Sequence, residues 1–112
     1  MKMSERAHQI WPVLAWAAQN RQVITYSILG KLISVPQYAL GQLLEPIQSY
    51  CLLKGLPPLT ILVVAQETGM PGLGFIAAQD ISKTQVKVFD RDWLEQGCPT
   101  VEEFEDAVRR RL

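Results

Sequence analysis

The sequence predicts an α+β domain: a helix-turn-helix, a β-hairpin, then a C-terminal strand and helix. Three observations carry that expectation. Ile10, Leu14, Ala17 and Ala18 fall at i, i+4, i+7 and i+8, the stripe of a helix that buries one face. Residues 59–65 form a run of mostly leucine and β-branched side chains that reads as a buried strand. Thr100 and Glu103 have the spacing of a capping box at the head of a final helix.

The first helix is expected over residues 4–20. Pro12 lacks an amide donor and crowds the preceding turn, so the helix kinks there or begins near Trp11. Val23-Ile24-Thr25 is a short extended piece, and Thr25 caps a helix from Tyr26 to about Ser34. Gly30 within that helix points to the close approach of another backbone. Val35-Pro36 makes a turn, because a proline pushes its predecessor out of helical space. The next helix starts at Pro36 or Gln37, presents Ala39, Leu40, Leu43 and Leu44 as its apolar face, and breaks or restarts at Pro46. Its second part reaches Lys54, with Gly55 in the left-handed position beyond the end. Leu56-Pro57-Pro58 leads into the strand at residues 59–65. Gly69, Pro71, Gly72 and Gly74 mark a turn-rich loop, and Phe75-Ile76 a short returning strand. Residues 85–89 read as a further strand with Val86 and Val88 on one face. A single helical turn is expected at residues 92–96. The last helix, residues 101–111, puts acids first and arginines last, as the helix dipole favours.

Helix, short strand, helix, turn, helix, strand, glycine-rich loop, strand is a winged-helix-like order. The residues carry a more specific likeness. Val23-Ile24-Thr25-Tyr26-Ser27-Ile28-Leu29, Tyr38-Ala39-Leu40-Gly41, Leu56-Pro57-Pro58-Leu59 and Gly72-Leu73-Gly74-Phe75, in that order and spacing, resemble the C-terminal domain of alkylguanine-DNA alkyltransferases and alkyltransferase-like proteins. The resemblance spans residues 10–76, a winged-helix-like core within a single domain of residues 1–112, and leaves residues 77–112 as a C-terminal extension. It implies that Tyr26 contacts a DNA phosphate beside an extruded nucleotide. It also implies that the helix from Gln37 lies against a groove with Lys31 in reach of another phosphate. The family's recognition helix opens on Arg-Ala-x-Gly; here Tyr38 stands in place of the arginine ahead of Ala39 and Gly41. An aromatic ring at that place can wedge or stack against a base. The family's reactive Pro-Cys-His-Arg segment corresponds to residues 59–64, which hold neither cysteine nor histidine. Alkyl transfer needs an activated thiolate, so that reaction is not expected. The resulting DNA-binding residues are Tyr26, Lys31, Gln37, Tyr38 and Gly41.

Charge bears on this reading. The chain of 112 residues has eleven basic and eleven acidic side chains and a formal net charge of zero. Duplex binders draw most of their affinity from neutralised phosphates, so DNA is expected to bind weakly. Residues 1–79 carry five basic groups (Lys2, Arg6, Arg21, Lys31, Lys54) against Glu5, Glu45 and Glu67, which leaves room for a local basic face. The competing expectation is a protein-interaction module, a regulator or inhibitor of another enzyme, that kept the fold and lost DNA. An enzyme ranks last, because no nucleophile, base and orienting group assemble from the sequence.

Other features have plain readings. Cys51 lies in an apolar stretch and is expected to pack as a small hydrophobe. Cys98 precedes Pro99 and a helix N-terminus, yet no histidine neighbours it in sequence, so it is expected to be unreactive. One histidine, His8, and two distant cysteines do not give zinc spacing, and no cofactor is implied. Asp90, Asp92 and Glu95 are read as a solvated acidic turn rather than a cation site. Gly69 to Gly74 lacks the Gly-Lys-Ser/Thr ending of a phosphate loop and is read as a wing. Trp11, Trp16 and Trp93 are core or interface anchors. Residues 10–18 resemble a signal sequence only superficially, given Glu5, Pro12 and two tryptophans, and no run is long enough to span a membrane, so a cytoplasmic protein is expected.

Overall fold

Helix α1 (Met3–Gln19) buries Ala7, Ile10, Trp11, Leu14, Ala17 and Ala18 and turns Pro12 and Trp16 outward. It runs without interruption through Pro12, which lies on its exposed face, and does not begin near Trp11. The carbonyl that Pro12 leaves without a helical donor is that of His8, and the Cys98 thiol lies 3.8 Å from it. The computed structural model describes residues 1–72 and 80–111.

Strand β1 (Ile24–Thr25) runs into helix α2 (Tyr26–Ile33). The Thr25 hydroxyl accepts the Ile28 amide at 3.2 Å, which is the expected cap. Ser34 ends the helix in the left-handed conformation at φ 60°, and the Arg6 guanidinium donates to the Ile33 carbonyl at 2.7 Å. A Cβ on Gly30 would lie 2.8 Å from the Val35 carbonyl oxygen, so glycine here does answer to a close backbone approach. A 3₁₀ turn, Gln37–Ala39, leads into helix α3 (Leu40–Lys54). This helix continues through the buried Pro46 where a break was expected, and Gly55 closes it at φ 67°.

The run expected as a strand over residues 59–65 divides. Leu59–Leu62 is a 3₁₀ turn closed by the Ile61 amide on the Pro58 carbonyl at 3.1 Å, and only Val63–Val64 is strand, β2. Every residue from Leu59 to Val64 is buried. Burial on all sides removes the alternation that separates a strand from another buried conformation, so composition misled. β2 pairs in parallel with β1, Ile24 opposite Val63 and Thr25 opposite Val64. Beyond it the chain reverses through residues 65–70, with the Gly69 amide on the Ala65 carbonyl and the Ala65 amide on the Met70 carbonyl. A single antiparallel bridge joins Val64 to Pro71. No hairpin wing is present among the described residues; the strand expected at Phe75-Ile76 and the end of the glycine-rich loop lie outside them.

The strand expected at residues 85–89 is helix α4 (Ile81–Asp90). Its packing residues Ile81, Val88 and Phe89 follow a helical period, Val86 faces solvent, and Asp80 caps the helix by accepting the Lys83 amide at 3.1 Å. The anticipated C-terminal strand is thereby corrected to a helix. Helix α5 (Trp93–Gln96) is the expected single turn, and α6 (Val101–Arg111) begins on the reciprocal Thr100–Glu103 bonds of 3.0 and 3.1 Å.

The result is a compact, mostly helical domain with a small two-stranded parallel sheet. α3 packs most extensively on α6 and on α1. At their junction Trp11 stands edge-on to Tyr50 and Trp93 and tilted to Phe104, with ring centroids 5.6–5.9 Å apart. Among the described residues no helix is long and apolar enough to cross a membrane.

Candidate functional site

A groove of about 280 Å³ opens between the start of α2 and the outer face of α3. Tyr26 enters it because Thr25 caps α2 immediately before it. Tyr38 enters from the 3₁₀ turn, where Pro36 has redirected the chain. Gly41, Gln42, Glu45 and Gln48 continue from Tyr38 down one stripe of α3, and Thr60 and Pro71 close the opposite side. Tyr38 is 89% exposed at the rim, whereas Gln48 and Thr60 are buried at its base.

The polar groups differ in how they are satisfied. The Tyr26 hydroxyl accepts the Gly72 amide at 3.1 Å, which anchors that ring to the loop beyond β2. The Thr60 hydroxyl is buried and has no hydrogen-bond partner among the described residues. Leaving such a group unpaired costs on the order of 1–3 kcal/mol. Glu45 is the one charged side chain lining the groove among the described residues.

Of the residues expected to bind DNA, Tyr26, Tyr38 and Gly41 come together here. Lys31 and Gln37 are exposed but do not line the groove; the Gln37 backbone instead packs beside Gly30. Gly41 faces open space, so its lack of a side chain leaves the groove wide rather than admitting a neighbour. Glu45, Gln48 and Thr60 escaped the sequence reading. The first two had a signal, since residues 38, 41, 42, 45 and 48 form a helical stripe. Thr60 had none, because a continuous strand was assumed at its position.

The basic groups of the first 79 residues are largely engaged elsewhere. Arg21 bonds Asp90 at 2.5 Å, Arg6 holds the end of α2, and Lys54 lies over the Tyr50 ring. Of the C-terminal arginines, Arg109 and Arg110 pair with Asp106 and Arg111 reaches the Ser49 hydroxyl. The acidic turn is likewise committed: Asp90 holds Arg21, and Asp92 caps α5 through the Glu95 amide. Among the described residues no group of three His, Cys, Asp or Glu side chains is placed to hold a metal ion.

The fold brings His8 to Cys98, a pairing invisible in a sequence where ninety residues separate them. Their Nδ1 and Sγ lie 3.4 Å apart. His8 Nδ1 also stands 3.0 Å from the Pro99 carbonyl oxygen. A carbonyl offers no proton, so Nδ1 must carry one, and it then has no lone pair with which to draw the proton from the thiol. Cys98 is an exposed residue, and partial desolvation of its sulfur by the neighbouring chain, with the Glu103 carboxylate nearby, pushes the thiol up to about 11. Burial pushes Cys51 up to about 11 as well. With both raised above the ordinary thiol value, neither is biased toward the nucleophilic thiolate. A scan against known protein families found no matching family, and searches of curated proteins and of solved structures found no match.

Proposed function

We propose that this chain is a non-enzymatic binding module that docks a protein partner over the groove between Tyr26 and Tyr38. The observation that carries the reading is Tyr38, 89% exposed on the rim of a groove whose one described charged wall is the carboxylate of Glu45. An exposed aromatic beside a concave, largely apolar site is what protein interfaces use as an anchor. A duplex would bring its phosphates toward that carboxylate and would find no basic side chain lining the groove among the described residues. The unactivated thiol at Cys98 supports the non-enzymatic part of the reading. The test is a photo-crosslinking residue at position 38, with position 83 on α4 as control. Capture of a discrete protein from position 38 alone is expected; equal capture from both positions would remove the reading.

A second reading keeps the resemblance to alkyltransferase-like proteins and takes DNA as the partner. Its support is the Thr25-capped helix carrying Tyr26 and Lys31, followed by a short turn and the helix that presents Tyr38. Fluorescence anisotropy with single- and double-stranded oligonucleotides over a salt series separates the two. With so few free cations the DNA reading requires a shallow log–log slope, about −2 to −4 at roughly −0.9 per phosphate neutralised. Absence of binding at low salt eliminates it.

A further inference from the structure

We propose that His8, Cys98 and the Pro99 carbonyl form a three-donor site for a divalent ion of the zinc class. The site is independent of the groove. Its donors are an imidazole nitrogen, a thiol sulfur and a backbone oxygen, set at the corners of one small triangle. Nδ1 of His8 stands 3.4 Å from the Cys98 Sγ and 3.0 Å from the Pro99 oxygen, and Sγ stands 3.3 Å from that oxygen. Zinc holds sulfur at about 2.3 Å and nitrogen or oxygen at about 2.0–2.2 Å, so two of its donors at a tetrahedral angle lie about 3.4–3.6 Å apart. Each edge of the triangle is within about 0.4 Å of that spacing. His8 and Cys98 are both exposed, so an ion reaches them and their side chains can spread by the small amount required. The fourth corner falls to water or to a ligand from outside the chain.

The donors come from well-fixed backbone. His8 lies within α1, and Pro99 is buried directly ahead of the Thr100–Glu103 capping box. Only two of the three are side chains, so the set has no signature in the spacing of histidine, cysteine and carboxylate residues. A thiolate with an imidazole selects a borderline or soft ion over magnesium and calcium, which take sets of oxygen atoms. The Glu103 carboxylate bears on the Cys98 sulfur, which disfavours a bare thiolate and favours a thiolate paired with a dication. On binding, the thiol proton leaves to solvent and the imidazole proton passes from Nδ1 to Nε2, so that the neutral ring ligates. The ion would tie α1 to the segment ahead of α6, across ninety positions of sequence.

The experiment is a titration of the reduced full chain with Co²⁺, followed by absorption, and thermal unfolding with and without Zn²⁺. Saturation at one ion per chain is expected, with a sulfur-to-cobalt charge-transfer band and the intense visible bands of a four-coordinate ion. Excess Mg²⁺ is expected not to displace it. Cys98→Ser and His8→Asn are each expected to weaken binding by at least about 10–100-fold, the loss that even an outer-shell partner produces. Asparagine keeps an N–H donor for the Pro99 carbonyl, so a purely structural role of the imidazole survives His8→Asn while the ligand is lost. Zn²⁺ is expected to raise the melting temperature of the parent and of neither variant. X-ray absorption of the zinc form is expected to show one sulfur at about 2.3 Å with nitrogen or oxygen neighbours at about 2.0–2.2 Å. Absence of the charge-transfer band at millimolar Co²⁺ would overturn the site. So would a band undiminished in His8→Asn, which marks a thiol acting alone, or two sulfurs per zinc, which marks an ion shared between the thiols of two chains.

Discussion

The Tyr26 hydroxyl accepts a hydrogen bond from the Gly72 amide at 3.1 Å, joining the first turn of α2 to the loop beyond β2 across 46 positions of sequence. The contact leaves no room for a side chain at position 72, where a Cβ would fall on the tyrosine hydroxyl. Tyr26 is thus held by its ring tip as well as by its backbone, and one wall of the groove is fixed in place.

Gly72→Ala is accordingly expected to displace the Tyr26 ring and to destabilise the fold by about 1–3 kcal/mol, the usual cost of forcing atoms into an occupied space. Tyr26→Phe removes the acceptor without adding bulk and is expected to cost about 1 kcal/mol. Urea denaturation of both variants checks the order. A Gly72→Ala protein as stable as the parent would mean that the loop yields freely and does not position Tyr26.

Thr60 tests the groove from the opposite side. Its hydroxyl is buried and unpaired, so Thr60→Val replaces an unsatisfied polar group with a methyl of similar size. Stability is expected to hold or to rise by about 1 kcal/mol, where a hydroxyl bonded in the free protein would lose a comparable amount. Thermal unfolding distinguishes these outcomes, at roughly 4–8 °C per kcal/mol for a domain near this size.

Local chemistry was legible in the sequence wherever a residue type has a single structural use. Thr25 as a cap, Gly30 as a point of close approach, Gly55 as a left-handed terminus and the Thr100–Glu103 box follow from backbone sterics and short-range hydrogen bonding, which need no knowledge of the tertiary fold. Two strands were misread where tertiary burial overrode propensity. Leu59–Leu62 is inside the core on every side, and α4 buries Val88 while exposing Val86, although their alternation suggested one face. Tyr26, Tyr38 and Gly41 were singled out through the resemblance, and the fold brings the three to one groove. Glu45 and Thr60 were not weighed, because their relation to the tyrosines depends on how the segment after Pro58 packs against α3. The His8–Cys98 pair was equally out of reach, since nothing local relates two residues at opposite ends of the chain.

The buried thiol at Cys51 makes stability depend on alkaline pH. Desolvation lifts it from the ordinary 9.0 to about 11, so the native state holds this proton more tightly than the unfolded chain does. The contribution is fully present below the unfolded value of 9.0 and is lost as pH rises through about 11. For two units the loss is on the order of 2–3 kcal/mol. Cys51→Ala is expected to lower stability at neutral pH by leaving a small void, and to flatten the fall between pH 9 and 11. Denaturation at a series of pH values checks this; a fall of unchanged steepness in Cys51→Ala would assign the alkaline loss to other groups.

Two helical glycines are expected to respond to alanine with opposite signs. Gly30 and Gly41 both lie within helices at negative φ, so backbone conformation does not separate them. Their surroundings do. A Cβ at position 30 would stand 2.8 Å from the Val35 carbonyl oxygen, which is backbone and is itself held by the Val35 amide on the Gly30 carbonyl at 3.0 Å. The turn between α2 and the 3₁₀ segment must open to admit it, at a cost of about 1–3 kcal/mol, of which the better helix propensity of alanine offsets up to about 1. At position 41 a Cβ meets nothing within 4 Å. Gly41→Ala therefore gains the propensity term alone and is expected to stabilise by about 0.5–1 kcal/mol. The same methyl projects toward the groove that Gly41 lines, so Gly41→Ala is expected to weaken partner binding while raising the melting temperature. A Gly41→Ala protein that is more stable and binds unchanged would place the occupied part of the groove away from the start of α3, toward Glu45 and Thr60.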